Sequence, residues 1–427
     1  MKKFQLTYGY DDVTLVPNYS NLESRSEANP TMHGYKIPII GSCMDSFGRD
    51  MMTSLITHDI PFIIHRSFKT PDEQFDHFFK ESDFTGNSGV DNEVTLYYSF
   101  KNVWFAVGSL KKYKDWIDTL FFYYGVRQFC VDMAHGDSFC CIDTIKYLRH
   151  LLDTNNGAPQ SFLHYVLPPF TQTPHIIAGN VATAEGFKRL QNAGANGIRI
   201  GIASGQCCST ALQTGFGVPI LTNIIECNKV RKNGVWIIAD GGVRTSGDVA
   251  KAVYFGADFC MIGKLLAATD KACGKCYNVN KDEIILNSNI DKNSDLGQFN
   301  KVIYPDEFQE LYEKAIKLDI EKHDTNKTRE NMVKRNSIVY KGYHGMASRE
   351  ARKGILNYAS PEGAQGMIKY TRRTKDFIND MELNLQASLS YAGARNWDQF
   401  RKNTYPVMRS NAGIIAADTH LDITFDR

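Results

Sequence analysis

The sequence predicts an α/β protein, a (β/α)8 or TIM barrel with an insertion on its C-terminal face. Three observations predict it. Short apolar runs recur through residues 1–270, separated by longer mixed segments, as repeated β-α units around a parallel sheet require. Several runs lead straight into Gly, Asp, Asn or Ser, and the loops at strand C-termini are where such a barrel keeps its chemistry. No G-x-G-x-x-G opens a first helix, so an open doubly wound sheet with a dinucleotide fingerprint is disfavoured.

The runs justify the eight strands in order. Residues 37–40 end at Gly41-Ser42, 62–65 precede Arg66, and 103–107 form an unbroken apolar stretch. Residues 128–131 end at Asp132, 175–178 at Gly179-Asn180, and 197–200 at Gly201. Residues 235–239 end at Asp240-Gly241-Gly242, and 258–262 at Gly263-Lys264. After residue 267 the pattern changes. The segment 270–340 is rich in Lys, Asp, Asn and Glu and reads as an inserted excursion on the barrel. Within it, helical spacing of Phe308, Leu311, Tyr312, Ala315 and Ile316 predicts an amphipathic helix over 305–319. The charged run 321–335 reads as a solvated face or a mobile arm, not a binding site. Further on, a helix is expected over 376–391, and 419–425 alternates like an edge strand.

Composition narrows the function classes. A chain of 427 residues with 43% hydrophobic content can bury a large core, and one barrel spanning 1–427 accounts for it. A net charge of +2, with both signs interspersed, provides no field for nucleic acid. Neither a secretion signal nor an apolar run of membrane-spanning length is present, so a cytoplasmic protein without membrane partners is expected. Ten cysteines are then expected as thiols. Cys273-Gly-Lys-Cys276 has the spacing of half a zinc site or of a redox pair, but no second pair completes a zinc site and no metal is expected there. The adjacent Cys140 and Cys141 read as core or helix surface.

Two motifs carry chemistry. The loop Gly201-Ile-Ala-Ser-Gly205-Gln-Cys-Cys208-Ser-Thr210 follows an apolar strand and can present a thiol nucleophile beside hydroxyls; two buried cysteines are the alternative. Asp240-Gly241-Gly242 places a carboxylate at a strand exit, where it can accept from a vicinal diol. Backbone NH groups at Gly242 and at Gly263-Lys264 can hold a phosphate. A structural glycine turn with a capping Asp is the alternative.

These motifs resemble the IMP dehydrogenase and GMP reductase family. The resemblance covers 1–269 and 341 to about 425. It also rests on Tyr10-Asp-Asp-Val-Thr-Leu-Val-Pro17, Pro38-Ile-Ile-Gly-Ser-Cys-Met-Asp45, Ala178-Gly-Asn-Val181, Gly342-Tyr-His-Gly-Met346 and Tyr391-Ala-Gly-Ala394. It implies a TIM barrel with a mobile flap, a purine 5′-monophosphate as substrate, a nicotinamide cofactor (NADPH or NAD) and a homotetramer. Cys208 would attack purine C2 to give a thioimidate, with Thr210 beside it and Glu362 at the purine edge. Ser42, Asp240, Gly242, Gly263, Lys264, Tyr343, Gly345 and Met346 would hold the nucleotide. Asp132 and Asn180 would line the nicotinamide side, and residues 341–370 would supply nucleotide contacts and the flap. Potassium at Gly201, Gly205 and Cys208 is left open, because Ala203-Ser204-Gly205 stands where potassium-binding members carry Gly-Pro-Gly. Lys264 replaces the family's Ser or Gly, either to meet the phosphate or to point to solvent. No tandem regulatory domain is expected.

The flap bears on the direction of the reaction. Between Met346 and Pro361 no Arg-Tyr dipeptide occurs, whereas dehydrogenases of this family use such a pair to activate water. The resemblance there is to the reductase, in which a Thr-Glu pair, here Thr210 and Glu362, protonates departing ammonia. Ser24, Arg25 and Arg66 also look like reductase positions for the 2′-phosphate of NADPH, with solvated surface as the alternative. The loop 242–248 and the tail look more like the dehydrogenase. GMP reduction is therefore the expectation, IMP oxidation the alternative, and a non-catalytic nucleotide-binding barrel a third reading.

Overall fold

In the computed structural model, residues 6–79, 102–154, 175–205, 210–273, 276–280, 337–344 and 365–410 are described. A short strand β1 (Val13–Val16) precedes the barrel. The barrel strands are β2 (Ile39–Gly41), β3 (Phe62–Ile64), β4 (Val103–Val107), β5 (Phe129–Asp132), β6 (Ile176–Val181), β7 (Gly197–Ile200), β8 (Trp236–Asp240) and β9 (Phe259–Ile262). All eight pair in parallel, and the sheet closes on itself where Ile39, Ile40 and Gly41 meet Cys260, Met261 and Ile262. The expected runs differ from these strands mainly at 175–178, which continues to Val181.

Around the barrel lie α1 (Arg49–Ile56), α2 (Pro71–Phe78), α3 (Leu110–Asp118), α4 (Phe139–Thr154), α5 (Ala184–Ala193), α6 (Thr210–Thr214), α7 (Ile220–Val230), α8 (Ser246–Phe255) and α9 (Lys264–Ala267). Burial on both faces explains why the strands read as continuous apolar runs. The helix boundaries follow from local chemistry. Thr70, Thr183 and Thr245 each cap a helix by accepting from a backbone NH three residues on. Gly194 and Gly256 end α5 and α8 at φ of 113° and 118°, a conformation that favours glycine. On α4, Cys140 is exposed and Cys141 buried, so the pair divides between surface and core.

The expected polar excursion begins and ends in strands. Strands β10 (Cys276–Asn280), β11 (Ser337–His344) and β12 (Gln365–Lys369) form an antiparallel sheet in which Tyr277 lies opposite Tyr340 and Val279 opposite Ile338. These β-forming residues alternate with polar ones, a short signal masked by the polar composition around it. The helix expected over 305–319 and the edge strand over 419–425 lie outside the described residues. Helix α10 (Thr374–Tyr391) starts ahead of 376 because the Asp270 carboxylate accepts from Thr374 N at 2.7 Å and Thr374 Oγ1 at 2.9 Å. After it come α11 (Trp397–Asn403) and β13 (Tyr405–Met408), which pairs antiparallel with β1. Among the described residues no helix is long and apolar enough to cross a membrane, and no three His, Cys, Asp or Glu side chains cluster for a metal.

A charged cluster closes the N-terminal end of the barrel. Asp258 Oδ2 accepts from Ile237 N at 2.7 Å and from the Arg231 guanidinium at 2.8 Å, while Oδ1 lies 2.9 Å from His33 Nε2. The His33 ring stacks on Trp236 with centroids 5.0 Å apart. A buried carboxylate with this many partners orients β8 and β9, and removing it leaves the half-buried Arg231 guanidinium and the Ile237 NH without their acceptor. Asp258→Ala is expected to cost about 3–5 kcal/mol in urea unfolding; a loss below about 1 kcal/mol would show that the cluster does not hold the barrel.

Candidate active site

The polar residues at the strand exits face one mouth, and a residue of β7 joins them. Arg199 lies in the middle of a buried strand with its side chain 7% exposed. Its NH1 donates to Asp132 Oδ1 at 2.6 Å and its NH2 to Asp240 Oδ2 at 2.8 Å, so one guanidinium bridges the exits of β5 and β8. Asn180, at the exit of β6, donates from Nδ2 to the same Asp240 oxygen at 2.7 Å and to Gly201 O at 2.9 Å. Arg66, after β3, donates from Nε to Asp132 Oδ2 at 3.2 Å and reaches the Tyr113 hydroxyl at 3.4 Å.

The electrostatics follow from burial and pairing. Burial pushes the Asp132 carboxyl up, but Arg199 and Arg66 together outweigh it and hold the group below the usual carboxylate range. Burial also pushes Cys43 well up despite Arg199, and raises Cys130 to about 12. Thiols in that state are protonated at neutral pH and do not serve as nucleophiles. Arg199 Nε and Asn180 Oδ1 are buried at this mouth without a partner among the described residues. Both Asp240 bonds fall on Oδ2, and Oδ1 has no hydrogen-bond partner among the described residues. A donor, an acceptor and a carboxylate oxygen therefore stand here without a hydrogen-bond partner among the described residues.

The root of the cysteine loop packs on the Asp-Gly-Gly turn. Ser204 Oγ donates to Asp240 O at 2.6 Å. Gly201 has φ 131°, and a Cβ there would collide with Asp240 O; at Gly241, φ 95°, it would stand 2.7 Å from Gly205 N. Only glycine permits this approach. Thr210 opens α6 and is half-buried, while Cys208 lies outside the described residues, as do Glu362, Gly345 and Met346.

A second group converges beside β9. A Cβ on Gly263 would lie 3.0 Å from Met44 Sδ, 3.2 Å from the Tyr343 hydroxyl and 4.0 Å from Ser42 Cβ, so the bare glycine leaves a small cradle among them. Gly242 has φ 82°, with Ser204 O 3.0 Å from where its Cβ would be. The start of α8 is already closed by Asp248 Oδ2, which accepts from Arg244 N at 3.0 Å and Thr245 N at 3.1 Å. Lys264 is exposed, and its side chain has no hydrogen bond to another described residue.

The chain matches the family model described as IMP dehydrogenase / GMP reductase domain over residues 7–285 and 324–420. It belongs to that family. With membership comes the activity class, a nicotinamide-dependent oxidoreductase acting on purine nucleotides. The chain is similar to the GMP reductase of Lactobacillus johnsonii, at 29% identity over 95% of this chain and 96% of that one. It is also similar to those of Staphylococcus epidermidis, at 28% over 95% and 97%, and Staphylococcus aureus, at 27% over 95% and 97%.

Of the expected site residues, the structure joins Asp132, Asn180, Arg66 and Asp240 in one network and groups Ser42, Gly263 and Tyr343 in another. Ser24 and Arg25 fall elsewhere. Ser24 caps the turn Arg25–Glu27, Arg25 lies 5.8 Å from the centroid of the Tyr391 ring, and neither has a hydrogen bond to the mouth network. Arg66 is committed to Asp132. The residue that sequence reasoning missed is Arg199, read as part of an apolar strand. Its signal was available, since a charged residue inside a buried run must find partners.

Replacing Arg199 by Met leaves two half-buried carboxylates without their bridge. A loss of about 3–5 kcal/mol at pH 7 is expected. The folded-state pKa of Asp132 is depressed, so its contribution is present at neutral pH and fades as pH falls below about 4. The gap between wild type and Arg199→Met in urea unfolding should therefore narrow on acidification. A constant or widening gap counts against the bridge.

Proposed function

We propose that this chain is a GMP reductase, converting GMP, NADPH and two protons into IMP, ammonium and NADP. The observation that carries this reading is the Ser204–Asp240 contact, which seats the root of the cysteine loop on the turn bearing Asp240. A nucleotide whose ribose diol is held by Asp240 would then present its base to that loop. In this reading the Cys208 thiolate attacks purine C2, and ammonia leaves with protons relayed by Thr210 and Glu362. The reduced nicotinamide supplies the hydride that reaches C2, and the C–S bond breaks to return the thiolate and IMP. The high pKa of Cys43 and Cys130 supports assigning the nucleophile to the cysteine loop.

The chain's own residues suit the other groups. Ser42, Gly242, Gly263 and Tyr343 would take the 5′-phosphate, and Gly345 and Met346 the base. The nicotinamide fits the mouth, where Asn180 Oδ1 lacks a donor and Arg199 Nε an acceptor. Asp132 would orient that side through Arg199 and Arg66. Ser24 and Arg25 would have to act at a separate adenosine subsite. The direction rests on the similarity to GMP reductases across 95% of the chain and on the lack of an Arg-Tyr pair between 346 and 361. The loop 242–248 favours the alternative, IMP oxidation with NAD.

Nicotinamide absorbance separates the readings. With GMP and NADPH it should fall, and IMP with NAD should give less than about a tenth of that rate. The reverse result establishes the dehydrogenase. Cys208→Ala should lower turnover at least about 10³-fold and abolish a mass-spectrometric adduct at that residue; unchanged turnover removes the covalent mechanism. Exchanging potassium for sodium in the same assay should have little effect, because Ala203 and Ser204 replace the usual cation loop and the Ser204 hydroxyl is spent on Asp240 O.

A cytoplasmic homotetramer belongs to the same proposal. Tyr405, Val407 and Met408 on β13 and Tyr391 at the end of α10 expose apolar surface that an oligomer would cover. Light scattering should give four times the 48.2 kDa of one chain; a monomer at micromolar concentration would refute the assembly.

A further inference from the structure

Strand β11 carries a lysine in an unusual place. Lys341 is 3% exposed, and its ammonium donates to the carbonyls of Thr269 at 2.6 Å, Ala272 at 2.9 Å and Asp270 at 3.4 Å. Burying an ammonium is costly unless its donors are used, and three carbonyls match its three protons. Those carbonyls belong to the turn after α9, the last turn before the inserted excursion. The same turn is tied to the loop after β2, where Cys273 N donates to Ser46 O at 2.7 Å. It is tied to the chain beyond β12 as well, where Thr371 N donates to Ala268 O at 2.9 Å. Lys341 thus locks the register of β11 against the segment leaving the barrel.

Two residues along β11, on the same face of the strand, is Tyr343. It is buried, and its hydroxyl lies 3.6 Å from Met44 Sδ and beside the cradle formed with Gly263 and Ser42. A slip of one residue in β11 would turn Tyr343 to the other face. We propose that Lys341 is a positioning residue for the 5′-phosphate end of the pocket. It sets the placement of Tyr343 over Gly263 and Ser42, and through it the affinity for the phosphate, without itself touching the nucleotide. This inference rests on the reading of the substrate as a purine 5′-monophosphate.

The test uses the full chain and calorimetric binding of GMP and of guanosine, which lacks the phosphate. Wild type should prefer GMP. Lys341→Met, which keeps the length and removes the charge, should weaken GMP about tenfold or more and leave guanosine within about twofold. Tyr343→Phe should do the same, and the double variant should bind GMP no more weakly than the worse single variant, because one residue acts through the other. Losses that multiply in the double variant, or an equal loss for guanosine, overturn the inference. If Lys341→Met does not fold, Lys341→Arg serves in its place. Its planar guanidinium cannot reproduce the three-carbonyl geometry, so the same selective loss is expected, and full GMP affinity would overturn the inference. A wild type that does not distinguish GMP from guanosine overturns the substrate reading together with this one, whereas discrimination followed by multiplying losses overturns this one alone.

Discussion

A guanidinium buried in the barrel wall organises the mouth of this protein. Arg199 cannot stay charged in an apolar strand without acceptors, and the two it finds are the terminal carboxylates of β5 and β8. Each carboxylate is thereby oriented at a fixed distance from the other. Asn180 completes the arrangement by spending its donor on Asp240 and Gly201, while its oxygen is buried without a partner among the described residues. The exits of β5 and β8 therefore share a single cation. The shared guanidinium lies between the two carboxylates and helps hold that of Asp132 below the usual carboxylate range.

Steric economy does the complementary work at the loops. Gly201 and Gly241 let the root of the cysteine loop and the Asp-Gly-Gly turn approach within contact of their backbones, and Ser204 hydrogen-bonds across the gap. At Gly263 the missing side chain opens space among Ser42, Met44 and Tyr343. Burial also makes a chemical selection among the thiols. Cys43 and Cys130 stand close to the cationic bridge, yet desolvation keeps them protonated, so proximity to positive charge alone does not make a nucleophile.

The excursion is attached to this machinery by its base. Strands β10, β11 and β12 bring the chain back after the barrel is closed, and Lys341 and Asp270 fasten that return to the turn after α9. The last residue of β10 and the first of β11, Asn280 and Ser337, stand opposite each other. Tyr343 reaches the barrel rim from the far side of this excursion, a placement made by tertiary contacts and not by adjacency in the chain.

The barrel was legible in the sequence because strands buried on both faces must be apolar throughout and must end in polar turns. The runs at 103–107 and 197–200 coincide with β4 and β7, and Asp132, Asn180 and Asp240 stand at or next to strand ends. The motifs also identified the family, since a glycine needed for backbone approach or a carboxylate at a strand exit has few substitutes. The partners of Arg199 and Lys341 and the local contacts of Ser24 and Arg25 were decided only by the tertiary structure. The physical reason is distance along the chain. Arg199 meets a carboxylate 67 residues before it and another 41 after it, and Lys341 meets carbonyls about 70 residues earlier. Local pattern specifies which residues are buried and where strands stop; which buried charges find one another depends on how the barrel closes.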